Sequence, residues 1–186
     1  AAHLVDQMLQ LARLDPESGL PDPQPVDLAM LAESVCADLG PLILDRDLDF
    51  ALDAAAGCTV TGQAEWLRVL IRNLVDNAIR YTPAGGTVSV SVSRANDRCR
   101  LCVSDSGPGI SDELLGRIFE PFVQGEGSFV RQHQGAGLGL AIVRRLVTAM
   151  GGVMSIDNSP GGTTVCCSLL LKEARTHAPR EEQPAV

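Results

Sequence analysis

The stretch that decides the fold reads Asn-Leu-Val-Asp-Asn-Ala-Ile-Arg-Tyr at residues 73–81, within a helical pattern that runs from Gln63 to Arg80. Because an α-helix turns about 100° per residue, Asn73, Asn77, Arg80 and Tyr81 lie on one face of the helix. This polar face is either a solvated surface or a binding site, since amide oxygens suit Mg²⁺ and an arginine suits phosphate. The helix alone leaves both interpretations open. The apolar face beside it consists of Leu67, Ile71, Leu74, Val75 and Ala78.

A second informative segment is the strand pattern from Arg98 to Asp105, which ends in Ser-Gly-Pro-Gly at residues 106–109. Alternation places Asp105 on the same face as Leu101 and Val103, which we expect to be buried. A carboxylate there can accept a hydrogen bond from an adenine amino group, worth about 1.5–3 kcal/mol. It can also simply cap the turn that follows, and this segment by itself favours the cap.

A third segment, Gly-Ala-Gly-Leu-Gly-Leu-Ala at residues 135–141, opens a helical pattern that continues to Met150. A glycine-rich helix N-terminus presents free N–H groups and a positive dipole end to an anion. The spacing matches neither a P-loop nor G-x-G-x-x-G, since Ile142 stands where the third glycine would be. Neither H-E-x-x-H nor G-x-S-x-G occurs in the chain, so zinc-protease and esterase chemistry are unsupported.

Length and charge narrow the class of protein. The chain has 186 residues, which predicts one domain plus tails, and its net charge of −8 disfavours nucleic acid and anionic lipid as partners. We expect no direct membrane contact, since no segment has the ~18 apolar residues that a spanning helix needs. Only six of the residues are aromatic (one Trp, one Tyr and four Phe), so the core must be aliphatic.

The cysteines are expected to be reduced core residues in a cytosolic setting. One pair has C-x-x-C spacing, but it falls in an alternating strand, which sends the two side chains to opposite faces. No second pair with ligand spacing follows, and the three histidines are scattered. The six cysteines are Cys36, Cys58, Cys99, Cys102, Cys166 and Cys167.

The chain divides into four parts. Residues 1–14 read as the remnant of a longer helical hairpin, 15–25 as a Pro- and Gly-rich linker, 26–171 as the globular domain, and 172–186 as a disordered tail. Within the domain, strands adjacent to strands predict an α+β two-layer sandwich. Besides the segments above, the patterns predict a helix from an Asp27 cap to about Leu44, a short helix at 112–118, strands near 48–52, 58–61, 88–92, 153–157 and 163–171, and a turn at 158–162.

Together and in order, the segments at 73–81, 105–109, 118–122 (Ile-Phe-Glu-Pro-Phe) and 135–139 closely resemble the N-box, first glycine box, F-box and second glycine box of two-component sensor histidine kinases. Gly-Gly-Thr-Thr-Val at 161–165 resembles the family's final Gly-Thr element. The resemblance covers about residues 26–171. It implies the Bergerat (GHKL) ATP-binding fold, a mixed sheet with helices on one face and ATP held under a lid, here residues 124–134.

The same resemblance implies residue roles. Asn77 is the Mg²⁺ ligand, assisted by Asn73, and Arg80 and Tyr81 lie beside the phosphates, so that Asn73, Asn77 and Arg80 are the catalytic candidates. Asp105 reads the adenine. Phe119 and Phe122 of the F-box anchor the lid by packing. The other residues implied to contact ATP are Gly107, Gly109, Ile110, Arg131, Gly135, Gly137, Leu138, Gly139, Leu140 and Thr163.

The function implied is transfer of the ATP γ-phosphate to a histidine on a separate dimerisation domain. The second partner implied is a cognate response regulator. His3 is not that acceptor, because the family's acidic neighbour and Leu-Arg-Thr-Pro run do not follow it. ATP-hydrolysing relatives carry Glu where Asn73 stands, so slow hydrolysis is expected. The resemblance also implies a cytoplasmic segment that is monomeric without the hairpin, in a parent protein of the bacterial inner membrane.

Two alternatives share the fold. One is an ATP-sensing interaction module that orders its lid to recruit a partner without phosphotransfer. The other is a GHKL protein-serine kinase, which the helix remnant ending Ala-Arg-Leu-Asp at residues 12–15 disfavours.

Overall fold

The elements below come from a computed structural model that describes residues 22–124 and 137–172. The strands are β1 (Gln24–Asp27), β2 (Asp49–Ala54), β3 (Thr59–Gly62), β4 (Thr87–Ala95), β5 (Arg98–Asp105), β6 (Val153–Ser159) and β7 (Gly162–Leu170). The helices are α1 (Leu28–Asp45), α2 (Ala64–Tyr81), α3 (Asp112–Leu115) and α4 (Gly139–Ala149). The predicted hairpin remnant, the glycine-rich lid beyond Gln124 and the tail beyond Lys172 lie outside the described residues.

The main sheet has the strand order β2-β4-β5-β7-β6, with β2 and β4 parallel and the remaining neighbours antiparallel. Helices α1, α2 and α4 pack on one face of it, and one aliphatic core fills the space between. Val88, Val90 and Val92 of β4 point into this core, while Ser89 and Ser93 are exposed. The predicted α+β sandwich with a mixed sheet and helices on one face is therefore confirmed.

Local signals explain where the two long N-terminal helices form. The Asp27 carboxylate caps α1 by accepting the N–H groups of Ala29 and Met30 at 3.0 and 3.1 Å. Helix α2 buries the apolar face that its periodicity predicts and packs against α1 and α4. That face is formed by Leu67, Leu70, Ile71, Leu74, Val75, Ala78 and Ile79.

Several element boundaries differ from those predicted, including three that change the assignment of a segment. Strand β1 begins at Gln24, inside the stretch expected to be linker, because it pairs with β3 and Pro25 is tolerated in so short a strand. Strand β6 continues through Asn158 and Ser159, which were expected to form the turn, and pairs with β7 up to Gly162. Helix α3 ends after a single turn, with Gly116 following it.

Four cysteines fit the expectation of small core residues. Cys36, Cys58, Cys99 and Cys167 are free and buried. Burial raises the pKa of the Cys36 thiol to about 11 and that of Cys167 to about 12, so both stay protonated and unreactive at neutral pH.

The expectation was wrong for the other two cysteines, since Cys102 of β5 and Cys166 of β7 form a disulfide. The register places them directly opposite each other on neighbouring antiparallel strands, with Cα atoms 4.1 Å apart. They are on the sheet face away from the helices, because Cys99 and Cys102 point to opposite faces as predicted. A local C-x-x-C pattern could not reveal a partner 64 residues further along the chain.

This disulfide gives a countable prediction. Thiol labelling of the chain denatured without reductant is expected to modify four of the six cysteines, and labelling after reduction all six. Six reactive thiols before reduction would contradict the pairing.

The disulfide is also expected to stabilise the fold. Because the bond closes a long loop, replacing both Cys102 and Cys166 by serine is expected to lower the free energy of unfolding of the oxidised chain by about 2–4 kcal/mol. Chemical denaturation with and without reductant measures this difference.

The chain leaves the main sheet where that sheet meets the β1–β3 pair, through a bridge between Leu171 and Val60. Leu171 N–H donates to the Asp97 carbonyl at 2.8 Å, and Lys172 N–H donates to the Thr59 carbonyl at 2.9 Å. Thr59 in turn pairs with Asp27 of β1. Asp105 lies at the opposite end of β5 from this junction.

In the described part of the chain, no helix has the length and apolar character needed to cross a membrane.

Candidate functional site

The two predicted amides of α2 meet the start of α4. Asn73 and Asn77 are half-buried, and a Cβ built on Gly139 would lie 3.1 Å from Asn73 Oδ1 and 3.3 Å from Asn77 Nδ2. The Asn73 amide donates from Nδ2 to the Val69 carbonyl at 2.8 Å, which turns its oxygen toward Gly139. A glycine at this position lets the helix start approach both side chains, so the N-box and second glycine box form one surface.

The N-terminus of α4 is suited to hold an anion. Among the described residues no side chain caps it, and the first turn carries no acidic residue. The leading N–H groups of a helix have no partner within the helix and lie at the positive end of its dipole. Leu138, which is fully buried, and half-buried Leu140 fix this turn against the core. Phosphate oxygens are the ligands that such a helix start favours.

Arg80 lies on the predicted polar face, but it is already paired. Its Nε donates to Asp76 Oδ2 at 2.6 Å, and both side chains remain partly exposed. Asp76 was not among the predicted site residues, although its spacing four residues before Arg80 is typical of helical ion pairs. The pair holds the guanidinium close to α2, so a phosphate must compete with a carboxylate for it.

Tyr81 ends α2 beside the first glycine box. Burial raises the pKa of its phenol, so the hydroxyl remains a neutral hydrogen-bonding group. Gly107 approaches the Tyr81 carbonyl so closely that a Cβ on Gly107 would lie 2.7 Å from that oxygen. The C-terminal end of α2 therefore forms part of the same wall as residues 105–109.

Asp105 forms the predicted turn cap, and its role toward adenine stays a prediction. Its Oδ1 accepts the Gly107 N–H at 2.8 Å, which is the predicted turn cap. The carboxyl is also half-buried on the core face, and burial raises its pKa, while hydrogen bonds from the Gly107 and Thr163 backbone lower it. Thr163, itself buried, stands opposite Asp105 in the β5–β7 register. The turn thus holds in place a carboxylate that remains available as an acceptor.

The F-box connects the site to the second glycine turn. Phe122 N–H donates to the Gly137 carbonyl at 2.9 Å, and Arg144 of α4 lies over the Phe119 ring, 5.4 Å from its centroid. Phe119 therefore packs against α4, whereas the Phe122 side chain is 59% exposed. The expected packing of both rings against the lid involves residues outside those described and stays a prediction.

The structure thus brings the predicted residues together at two ends of one surface. One end is formed by Asn73, Asn77 and Gly139. The other end lies about 12 Å away along α2 and is formed by Tyr81, Asp105 and the residues around them. Gly109 and Ile110 follow Pro108 at the second end, where Asn158 of β6, which was not among the predicted site residues, accepts the Ile110 N–H. Arg131 and Gly135 lie outside the described residues.

Comparison with known proteins agrees with this arrangement. The family model described as "Histidine kinase-, DNA gyrase B-, and HSP90-like ATPase" matches residues 62–173. Sensor protein kinase PmrB of Pseudomonas aeruginosa is 36% identical over 95% of this chain and 36% of its own length. Sensor protein QseC of Salmonella typhi is 39% identical over 87% of this chain and 35% of its own length.

Solved structures show the same similarity. Full-length ShkA in complex with AMPPNP is 31% identical, with a TM-score of 0.77 over 92% of this chain and 36% of that one. Histidine kinase ThkA in complex with response regulator protein TrrA shares the fold, at 24% identity and a TM-score of 0.68 over 81% of this chain and 42% of that one.

The chain spans about a third of the length of the curated relatives that it matches. Over that third, its four motifs stand in the family's order, and the structure gathers their described residues at one surface. The chain therefore belongs to the histidine kinase-, DNA gyrase B- and HSP90-like ATPases, and its relatives within that family are the ATP-binding catalytic domains of sensor histidine kinases.

Proposed function

We propose that this chain binds ATP and transfers its γ-phosphate to a histidine on a separate dimerisation domain. The observation that carries the proposal is the contact of the Asn73 and Asn77 amides with Gly139 at the uncapped start of α4. Amides, free N–H groups and a positive dipole end at one place suit a polyphosphate, while Asp105 supplies a base-reading acceptor at the other end of the surface.

The end of the surface around Asp105, which we call the base end, orients the adenine base of the substrate. The Asp105 carboxylate accepts a hydrogen bond from the adenine amino group, and its own position is fixed by the N–H groups of Gly107 and Thr163. Such a charged hydrogen bond selects an amino-bearing purine over one with a carbonyl in that place. Gly107, Gly109, Ile110 and Thr163 form the wall around it.

The end of the surface around Asn73, Asn77 and Gly139, which we call the phosphate end, neutralises the negative charge of the phosphates. The N–H groups at Gly139 and Leu140 face the phosphates in this proposal. Arg80 and Tyr81 follow about one helical turn beyond Asn77. The Tyr81 backbone belongs to the end with Asp105, and its neutral hydroxyl and the Arg80 guanidinium reach the phosphates once Arg80 has exchanged Asp76 for a phosphate. The donor set fits a magnesium ion, because the Asn73 and Asn77 oxygens lie together beside Gly139. Asn77, assisted by Asn73, would hold it, and Mg²⁺ supplies charge neutralisation at the transferring phosphate.

The identity of residue 73 favours transfer over hydrolysis. A base must take a proton from an attacking water, and the Asn73 amide cannot do so. Its Nδ2 is also committed to the Val69 carbonyl. ATP turnover to free phosphate by the chain alone is therefore slow, and an imidazole of another domain is the nucleophile.

The partners follow from the same role. We infer a dimerisation and phosphoacceptor domain of the same kinase as the first partner and a response regulator as the second, as in the complex of ThkA with TrrA. We also infer that the domain comprises residues 26–171 together with Gln24 and Pro25 of β1, preceded by the end of the acceptor hairpin. It works as a cytoplasmic monomer when separated from that hairpin, in a parent kinase of the inner membrane. The lid residue Arg131 and Gly135 complete the phosphate end in this proposal.

The test is a phosphotransfer reaction with labelled ATP, Mg²⁺ and the cognate phosphoacceptor domain. The label is expected on the acceptor in a form lost in acid and retained in alkali, as a phosphorylated imidazole is. Acid-stable label would show a serine kinase instead. Tight ATP binding with no labelled acceptor would show the interaction module, and rapid release of free phosphate without acceptor would contradict the role given to Asn73.

A further inference from the structure

Asn158, near the end of β6, pairs with the backbone just after the first glycine box. Its Nδ2 donates to the Ile110 carbonyl at 2.7 Å, and its Oδ1 accepts the Ile110 N–H at 2.8 Å. The carboxamide thus takes both the donor and the acceptor of one peptide position, as a neighbouring strand would. These residues are 48 positions apart in the chain, so the contact is a tertiary one.

Asn158 also belongs to a row of side chains that crosses three strands. It stands opposite Thr163 in the β6–β7 register, and Thr163 stands opposite Asp105 in the β7–β5 register. Thr163 Oγ1 donates to Asn158 Oδ1 at 3.3 Å. The three half-buried or buried side chains share the face of the sheet that faces the helices. Asn158 is therefore connected to the base-reading carboxylate on one side and to Ile110 on the other.

The backbone between these two contacts has little freedom. Gly109 has a φ of 75°, and a Cβ on it would overlap the Ser159 carbonyl oxygen and lie 3.3 Å from Asn158 Oδ1. The glycine turn therefore lies directly on the end of β6. Only the Asn158 pair among the described hydrogen bonds attaches Ile110 to that strand.

We propose that Asn158 is a positioning residue for nucleotide-base recognition, which acts by holding Ile110 and the preceding glycine turn against β6. This inference rests on the proposed function, because it assigns Asn158 to the base end of the same site. Without the pair, residues 107–110 can move, the Gly107 N–H no longer holds Asp105 in one orientation, and the base loses its fixed acceptor. The phosphate end on α2 and α4 does not contact Asn158 and is left unchanged.

The test compares Asn158→Ala and Asn158→Asp with the wild-type chain. Two hydrogen bonds are lost in the alanine variant, so its Kd for ATP is expected to rise about tenfold, and the preference for ATP over GTP to shrink by a similar factor. In phosphotransfer to the acceptor domain, KM for ATP is expected to rise about tenfold while kcat stays within about twofold. Asp157→Ala is the matched control, since Asp157 is exposed on the other face of β6 and its variant should bind as the wild type does.

The aspartate variant supplies a signature that a purely structural role does not produce. At neutral pH its carboxylate cannot donate to the Ile110 carbonyl, whereas its protonated form can. The ratio of variant Kd to wild-type Kd is therefore expected to fall as the pH is lowered from 7.5 toward the pKa of the introduced carboxyl. Because the Asp105 carboxyl lies close by across Thr163 and also titrates, the ratio is compared with that of Asn158→Ala, whose side chain does not titrate.

Either variant would overturn the inference if its melting temperature fell but its Kd and base preference matched those of the wild type. A kcat that fell as much as the affinity would also overturn it. A wild-type chain that binds ATP without phosphotransfer contradicts the proposed function alone, because the Kd ratios still report on Asn158. A wild-type chain that binds no nucleotide contradicts both.

Discussion

Asn77→Ala is expected to reduce phosphotransfer by about 10²–10³-fold, the usual loss when one electrostatic group at a transition state is removed. The half-buried Asn77 amide lies against Gly139 and beside Asn73, where its oxygen is the proposed metal ligand. The measurement is labelled transfer to the acceptor domain, together with calorimetric titration of ATP with and without Mg²⁺. The wild type should bind more tightly with Mg²⁺, and the variant should not.

Asn96→Gly is the matched control, because it also removes a carboxamide but at an exposed hairpin position. Asn96 has a φ of 56°, a conformation that glycine adopts without strain, so this variant should fold and transfer normally. Equal Mg²⁺ dependence in Asn77→Ala and wild type would place the metal elsewhere.

Asp105→Ala is expected to raise the Kd for ATP by about 10–150-fold, the equivalent of one charged hydrogen bond of about 1.5–3 kcal/mol. The carboxylate stands half-buried, held by the Gly107 N–H at 2.8 Å, and no other carboxylate belongs to the described base end. Calorimetry with ATP, with inorganic tripolyphosphate as the comparison ligand, separates loss of base recognition from loss of phosphate binding. Tripolyphosphate affinity should not change.

The raised pKa of Asp105 adds two pH-dependent expectations. Affinity for ATP should fall as the pH drops through that raised pKa, because the protonated carboxyl is a poorer acceptor. The free energy of unfolding should respond in the opposite sense, since burial destabilises the ionised form above the folded pKa and protonation relieves that cost below it.

Asp105→Asn therefore should weaken ATP binding and yet leave the melting temperature at pH 7 as high as that of the wild type or higher. The amide oxygen can still accept the Gly107 N–H, so the turn is kept while the buried charge is removed. An unchanged ATP titration in both Asp105 variants would show that the base end lies elsewhere. A wild-type free energy of unfolding that fell together with the ATP affinity as the pH was lowered would contradict the desolvation argument.

The parts of the fold that the sequence predicts are those decided by local periodicity. The two faces of α2 and the alternation in β4 and β5 follow from side-chain spacing alone, because each residue's direction depends only on its position within its element. The Asp27 cap is local for the same reason, since its partners are Ala29 and Met30.

What depends on register or on distant partners could not be predicted. Pairing of β5 with β7 sets Cys102 against Cys166, and pairing of β6 with β7 makes Asn158 a strand residue that reaches Ile110. Strand β1 was not predicted because Pro25 disfavours a strand, and only its pairing with the distant β3 stabilises the extended conformation. At the candidate site, the motif order predicted which residues would gather. The pairing of Arg80 with Asp76 is different, because its i, i+4 spacing is local and could have been predicted.

Under the proposed function, the junction between the β1–β3 pair and the end of the main sheet limits how the acceptor can reach the nucleotide. Seven residue steps of β5 separate Arg98, beside that junction, from Asp105, a length of about 24 Å. Under the proposed function, an acceptor domain attached through β1 would join the catalytic domain at the end of the sheet remote from the base. Rotation about that attachment would change the direction in which the γ-phosphate faces the acceptor while the contacts around the base stay the same.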